Sequence, residues 1–337
     1  MADETDLETL RSLLPADGYH PELLAGADAR IAVSTAPEVD FVMSAIVGVA
    51  GMEATYEAAR HGKRIGLANK ETLVAGGRLV MQAVKDSETV LIPVDSEHNG
   101  AHQCFRAGLR SDVSRLILTA SGGPFRKTPK EEFERVTPAQ ALNHPTWKMG
   151  PRITIDSATM MNKGFEVIEA CWLFDLSPAQ IDVVVHPQST VHAMVEYSDG
   201  SVIAQLSTTD MRMPIQYALT YPDRYEAPVP RLDWTQTRDL HFEPPDLEKF
   251  RLLKLACQAQ EAGGAATCTL NAADEVAVEA FLREEISFPA IADVVEETLM
   301  RMPARRPESI GEVLAIDAES RSAARTIVAQ RALPIEK

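Results

Sequence analysis

VDFVMSAIVG (39–48), MEATYEAARHGK (52–63), RIGLAN (64–69), ETLVAGGRLVMQAVKDSE (71–88) and TVLIPV (89–94) follow one another in the stretch that decides the fold. Short β-prone runs alternate with amphipathic helical segments, the pattern of a parallel sheet with crossover helices. The apolar run SRLILTAS (114–121) continues the α/β character. TVHAMVEY (190–197) and SVIAQLS (201–207) flank Asp199 and Gly200, the signature of a tight hairpin, so a mixed sheet is implied as well. Prolines at 222, 228, 230, 244 and 245 mark an extended linker. Beyond it LEKFRLLKLACQAQEA (247–262), AADEVAVEAFLREE (272–285), AIADVVEETLMRM (290–302) and AESRSAARTIVAQRAL (318–333) carry 3.6-type apolar stripes. The expected class is α/β: a Rossmann-like parallel-sheet domain over 1–94, a central α+β catalytic domain with a mixed sheet over 95–220, a linker over 221–246 and a C-terminal helical bundle over 247–337.

Composition narrows the function. The 337 residues hold 33 Lys and Arg against 49 Asp and Glu, a net charge of −16 with no basic block, so neither nucleic acid nor an anionic membrane is an expected partner. An anionic substrate must find a local pocket of donors. Cys104, Cys171, Cys257 and Cys268 show no C-x-x-C spacing and read as reduced structural thiols. No signal peptide and no apolar run of about 20 residues is evident, which points to the cytoplasm.

Three segments carry candidate chemistry. In IPVDSEHNG (92–100), Asp95 and Glu97 follow the end of an apolar strand, where ligands of open α/β sheets bind. In extended chain they project to one side; two such carboxylates need a cation or donor between them, although a solvated acidic turn has the same sequence. ITIDSATMMNKGFEVIEACWLF (153–174) reads as a strand feeding a helix, with Ser157 near the helix start and Asn162, Lys163 and Glu166 on one face. Such a start, with Ser, Asn and Lys donors, can cradle phosphate; an ordinary capped helix with a surface ion pair also fits. TASGGPFR (119–126) places Ser121 beside two glycines that permit close backbone approach to an anion. Three carboxylates without a Cys or His cluster favour Mg²⁺ or Mn²⁺ over zinc. ALNHPTWKMGPR (141–152) suits a lid, or a connector with Trp147 packed on the core. His186 and His192, taken singly, suit structural roles.

LANKETLV (67–74), PVDSEHN (93–99), TASGGPFR, LNHPTWKMG (142–150), SATMMNKGFEVIEA (157–170) and HPQSTVHAMV (186–195) occur in the order seen in the 1-deoxy-D-xylulose-5-phosphate reductoisomerase family, which the chain closely resembles from about Val39 to its C-terminus. The resemblance implies an NADPH- and Mg²⁺- or Mn²⁺-dependent conversion of deoxyxylulose phosphate to methylerythritol phosphate in non-mevalonate isoprenoid synthesis, by a homodimer with one divalent ion per active site. It implies that Asp95, Glu97 and Glu166 hold the metal. Ser121, Ser157, Asn162 and Lys163 hold the phosphate, and Lys70, Ser96, His144, Ser189 and His192 surround the sugar, with Lys70, Glu97, His144 and His192 in the catalytic set. Trp147 and Met149 belong to the lid, Met211 to the pocket wall. Ala45, Ile46, Val47 and Gly48 lie at the nicotinamide side and Asn69 and Glu71 at the ribose side, with Lys70 and Met149 also near the cofactor.

The family opens with an apolar strand and a G-x-T-G-x-x-G turn that seats the cofactor pyrophosphate. This chain instead opens with the acidic, helix-like MADETDLETLRSLL (1–14), so its parallel-sheet domain is expected to be a Rossmann-like remnant with at least one βαβ unit, roughly 30 residues, missing and NADPH binding weakened. A paralogue that binds metal and sugar phosphate without reducing it is the alternative. A semialdehyde or homoserine dehydrogenase is disfavoured by the carboxylate and phosphate spacing.

Overall fold

The computed structural model describes residues 5–15, 18, 21–236 and 239–332. Helices α1 (Thr5–Leu13) and α2 (Gly26–Thr35) precede a parallel sheet of β1 (Phe41–Ser44), β2 (Arg64–Leu67) and β3 (Leu91–Pro93) in the order β1-β2-β3. The crossovers are α3 (Met52–Arg60) and α4 (Glu71–Asp86). Ala58 and Ala59 of α3 and Leu73, Val80 and Ala83 of α4 close over Ile65 and Leu67, as the alternating pattern predicts. Each large side chain so buried contributes about 1.5–3 kcal/mol. The opening stretch is helical over the residues described, while residues 1–4 lie outside them.

A second sheet runs β5-β4-β6-β7, from β4 (Val113–Ala120), β5 (Ile181–Val185), β6 (Val191–Tyr197) and β7 (Val202–Leu206). Its β4 and β5 are parallel and the other pairs antiparallel, so the sheet is mixed as expected. The β6–β7 hairpin turns at Gly200, at φ +86°, where Asp199 Oδ1 accepts from Ser201 N at 2.8 Å. Around the sheet lie α5 (Ser96–Phe105), the short α6 (Pro138–Ala141), α7 (Pro151–Thr159), α8 (Met161–Phe174) and α9 (Arg212–Thr220). The C-terminal helices are α10 (Arg251–Ala262), α11 (Ala266–Leu282), α12 (Ala290–Arg301) and α13 (Ile310–Arg331), and they share one continuous core with the central sheet. The proline-rich segment before them is seated rather than loose: Glu243 bridges to Val185, and Phe242 stacks on His186 at 4.7 Å. Among the described residues no helix is long and apolar enough to cross a membrane.

Two local readings are corrected. The segment ITID is not a strand but part of α7, begun by Pro151 after Gly150 and ended by Met160 in the left-handed region at φ 62°. Ile153, Thr154 and Ile155 favour extended chain by propensity. A proline fixed at the first helical position and burial of Ile155 in the core outweigh that weak preference. Ser157 therefore sits in the last turn of α7, ahead of the start of α8. Likewise Asp95 and Glu97 do not meet through extended chain: Asp95 caps α5 by accepting from the Glu97 N–H at 3.3 Å, and Glu97 lies in the first helical turn.

Candidate active site

The end of β3 delivers Asp95 and Glu97, and α8 delivers Glu166, to one point. Each offers an oxygen, and these oxygens lie within 4.8 Å of one another. Two lysines face them. Lys70, at the start of α4, donates to Asp95 Oδ2 at 2.7 Å and to Asn162 Oδ1 at 2.6 Å, with Glu166 Oε1 at 3.7 Å. Lys163 donates to Glu166 and lies 3.5 Å from Glu97. Ser96 Oγ donates to Glu97 at 2.6 Å. Burial would lower the Lys70 ammonium, but Asp95 and Glu166 outweigh it and raise its pKa, and Asp95 is held well below the usual carboxylate range against its own burial by Lys70 and His98. Burial first, then the carboxylates of Glu166 and Asp95, push Glu97 up to about 7 despite Lys163. A carboxylate so disfavoured as an anion is relieved by a hard cation among oxygen ligands, and this donor set fits Mg²⁺ or Mn²⁺.

Beneath the triad lies a support that sequence reasoning missed. His98 is fully buried, donates to the Glu166 carbonyl at 2.9 Å and pairs with Glu169 at 2.9 Å, which holds its pKa up at about 9 against burial. The signal was available: His98 lies three residues after Asp95 and Glu169 three after Glu166, one helical turn each.

Lys70, Asp95, Ser96, Glu97, Ser121, Trp147, Met149, Ser157, Asn162, Lys163, Glu166 and Met211 all line one cavity of about 250 Å³. Gly123, at φ +64°, explains the paired glycines of TASGGPFR: a Cβ there would meet the Ser157 carbonyl at 2.6 Å, so only glycine lets this turn lie against α7. His144 is not in this lining; its Nε2 lies 3.0 Å from Ser121 Oγ and its Nδ1 accepts from Trp147 N at 2.9 Å, so it links Ser121 to Trp147. Ser189 and His192 stand outside this lining. Ser189 is buried at φ 49°, and His192 is 2% exposed with Nε2 lacking a partner among the described residues, in the field of Glu97.

A second cavity of about 350 Å³ shares Ala68, Lys70, Ile153 and Asn162 with the first and adds Ala45, Ile46, Val47, Asn69, Glu71 and Arg152. Asn69 shapes it by donating to the Gly48 carbonyl at 2.9 Å and accepting from Thr72 N at 2.8 Å. Exposed Ile46 and Val47 offer an apolar face opposite the polar Lys70 and Glu71, a lining that fits the nicotinamide end of a dinucleotide. Met149 lines the first cavity rather than this one.

Asp156 of α7, which also lines the second cavity, faces Asp274 of α11, and neither Asp274 oxygen has another partner among the described residues. Burial first, then the Asp156 carboxylate, raises Asp274 well above its ordinary value, and burial raises Asp156 to about 6. The pair keeps a proton that the unfolded chain has lost. Its stabilisation is therefore complete below about pH 4 and declines as pH rises through 6 and beyond. The advantage of Asp274→Asn in melting temperature over the parent is expected to grow with alkalinity. A difference that stays constant from about pH 5 to about pH 9 would exclude the shared proton.

Fold and site together define an enzyme of the α/β class in which three convergent carboxylates suit a divalent cation beside a pocket lined by Lys, Asn and Ser donors. Residues 1–77 match the family model described as 1-deoxy-D-xylulose 5-phosphate reductoisomerase, 91–174 that of its C-terminal domain, and 206–323 the DXP reductoisomerase C-terminal domain. The 1-deoxy-D-xylulose 5-phosphate reductoisomerase of Solibacter usitatus is 66% identical over 98% of this chain and 85% of the relative, and that of Chloroherpeton thalassium is 52% identical over 93% and 80%. The Zymomonas mobilis reductoisomerase in complex with NADPH superposes with a TM-score of 0.91 at 46% identity, covering 97% of this chain and 84% of that one. A DOX-P reductoisomerase with NADPH, fosmidomycin and magnesium gives 0.90 at 41%, covering 97% and 85%. The chain belongs to the 1-deoxy-D-xylulose 5-phosphate reductoisomerase family.

Proposed function

We propose that this protein is an NADPH- and divalent-metal-dependent oxidoreductase that rearranges and reduces 1-deoxy-D-xylulose 5-phosphate to 2-C-methyl-D-erythritol 4-phosphate in non-mevalonate isoprenoid biosynthesis. The observation that carries this reading is the single cavity holding three convergent carboxylates together with Lys163, Ser121, Ser157 and Asn162. When bound, the metal supplies Lewis-acid polarisation of the substrate's carbonyl and neighbouring hydroxyl, and NADPH supplies hydride. Asp95, Glu97 and Glu166 hold the ion. Lys163 and the hydroxyl and amide donors bind the phosphate and position the reacting end by binding energy spent away from the chemistry. Lys70, between the two cavities, holds a cation against the oxygens on which negative charge develops. Trp147 and Met149 cover the cavity and exclude water, and His144 orients Ser121.

The units 1–94, 95–220 and 247–337 correspond to cofactor, catalytic and helical parts, a division supported by the two separate sheets. A homodimer is supported by β7, an edge strand with exposed Val202 and Ile203. The four free thiols support a cytoplasmic setting.

The test is to supply NADPH, Mn²⁺ and deoxyxylulose phosphate and to follow NADPH oxidation together with product mass. Oxidation with formation of the methylerythritol phosphate is expected. Binding of Mn²⁺ and a phosphonate analogue without NADPH oxidation would support the non-reducing paralogue instead.

A further inference from the structure

Arg152 is the second residue of α7, five residues before Ser157, and it has no place in the chemistry above. Its guanidinium nevertheless gathers three elements. Nη1 donates to Glu71 Oε1 of α4 at 2.8 Å and to Glu275 Oε1 of α11 at 2.9 Å, while Nη2 donates to Asn271 Oδ1 of α11 at 3.0 Å. Glu275 is fixed in turn: its Oε2 accepts from Arg321 Nη2 at 2.6 Å, and Arg321 Nε donates to Asp317 Oδ2 at 2.6 Å, both from α13. The turn that carries Ala45, Ile46 and Val47 passes close to this carboxylate. At Gly48, φ +74°, a Cβ would lie 3.5 Å from Glu275 Oε1.

We propose that Arg152, anchored by Glu275 of the C-terminal bundle, is a positioning residue that holds the cofactor cavity and the phosphate-binding helix in one arrangement, so that occupation of either cavity strengthens binding in the other. The inference rests on the reading of the two cavities as cofactor and substrate sides. Order imposed on α7 through Ser157 reaches Glu71 directly through a single rigid fork, and reaches Glu275, beside the 45–48 turn, through the same fork, so the second ligand has less to order. Only arginine can make these bonds at once. Lysine keeps the charge but not the planar fork, so Arg152→Lys is expected to recover part of the effect and Arg152→Met none.

The test measures the calorimetric Kd of NADPH without and with a saturating phosphonate analogue, in parent, Arg152→Met, Arg152→Lys and Glu275→Gln, with KM and kcat alongside. In the parent the analogue is expected to tighten NADPH by about tenfold, and in Arg152→Met the ratio falls towards one while KM for NADPH rises more than kcat falls. Arg152→Lys and Glu275→Gln lie between. If Arg152→Met fails to fold, those two variants carry the comparison. A parent ratio of one, or a parent-like ratio in every folded variant, overturns the proposal. Loss of thermal stability with an unchanged ratio would show a merely structural ion pair. A parent that binds both ligands but does not turn over would count against the assigned reaction and leave this coupling measurable.

Discussion

Glu166→Gln is expected to lower turnover at limiting Mg²⁺ by at least about a hundredfold and to weaken Mn²⁺ binding in parallel, with the fold intact. Glutamine keeps the shape and one acceptor oxygen, and what it removes is a charge. A carboxylate close to a cation in a partly buried site is worth about 4 kcal/mol per unit of opposing charge, against about 1 kcal/mol for the neutral hydrogen bond that remains, so the electrostatic loss dominates. The fold survives because both lysines keep a partner: Lys70 retains Asp95 at 2.7 Å and Lys163 retains Glu97 at 3.5 Å. Calorimetric Mn²⁺ titration and initial rates against Mg²⁺ concentration measure the two effects, with circular dichroism as the control. A folded variant that turns over normally at limiting Mg²⁺ would remove Glu166 from the metal set.

The architecture was legible where a periodicity had to be satisfied by burial. The alternation over 39–94 returned a parallel sheet with its crossovers, and the Asp-Gly turn returned the hairpin, because a one-residue slip in either would turn the apolar face to water. The convergence of Asp95, Glu97, Lys163 and Glu166 on one cavity was legible because charged side chains at helical spacing beside a glycine have few uses in a core. The ITID segment was misread because β-branched residues signal extended chain, whereas a proline-started helix packed into the core satisfies the same burial. Arg152 was invisible for a different reason. Locally it shows only Asp156 four residues on, while its hydrogen-bonded partners lie 81, 119 and 123 residues away in sequence. The Asp156–Asp274 pair was equally hidden, since neither segment alone says that two carboxyls will be buried face to face.

Lys163→Ala is expected to weaken the phosphorylated substrate or its phosphonate analogue by roughly 10- to 150-fold, the worth of one charge-assisted hydrogen bond of about 1.5–3 kcal/mol, and to leave a dephosphorylated analogue nearly unchanged. Lys163 stands between two duties, because its ammonium lies against Glu166 and Glu97 as well as in the cavity with Ser121, Ser157 and Asn162. The two duties predict opposite changes in metal affinity. Removing a cation from beside the triad leaves Asp95, Glu97 and Glu166 with less positive charge to balance them, so Mn²⁺ should bind as tightly or more tightly, even as phosphate binding collapses. If Lys163 instead chiefly held the triad in shape, Mn²⁺ affinity would fall with substrate affinity, and the phosphorylated and dephosphorylated ligands would lose alike. Titrating Mn²⁺, the phosphonate and its dephosphorylated counterpart into parent and variant separates the cases. Equal losses for the two organic ligands would take Lys163 out of the phosphate site and leave that role to Ser121, Ser157 and Asn162.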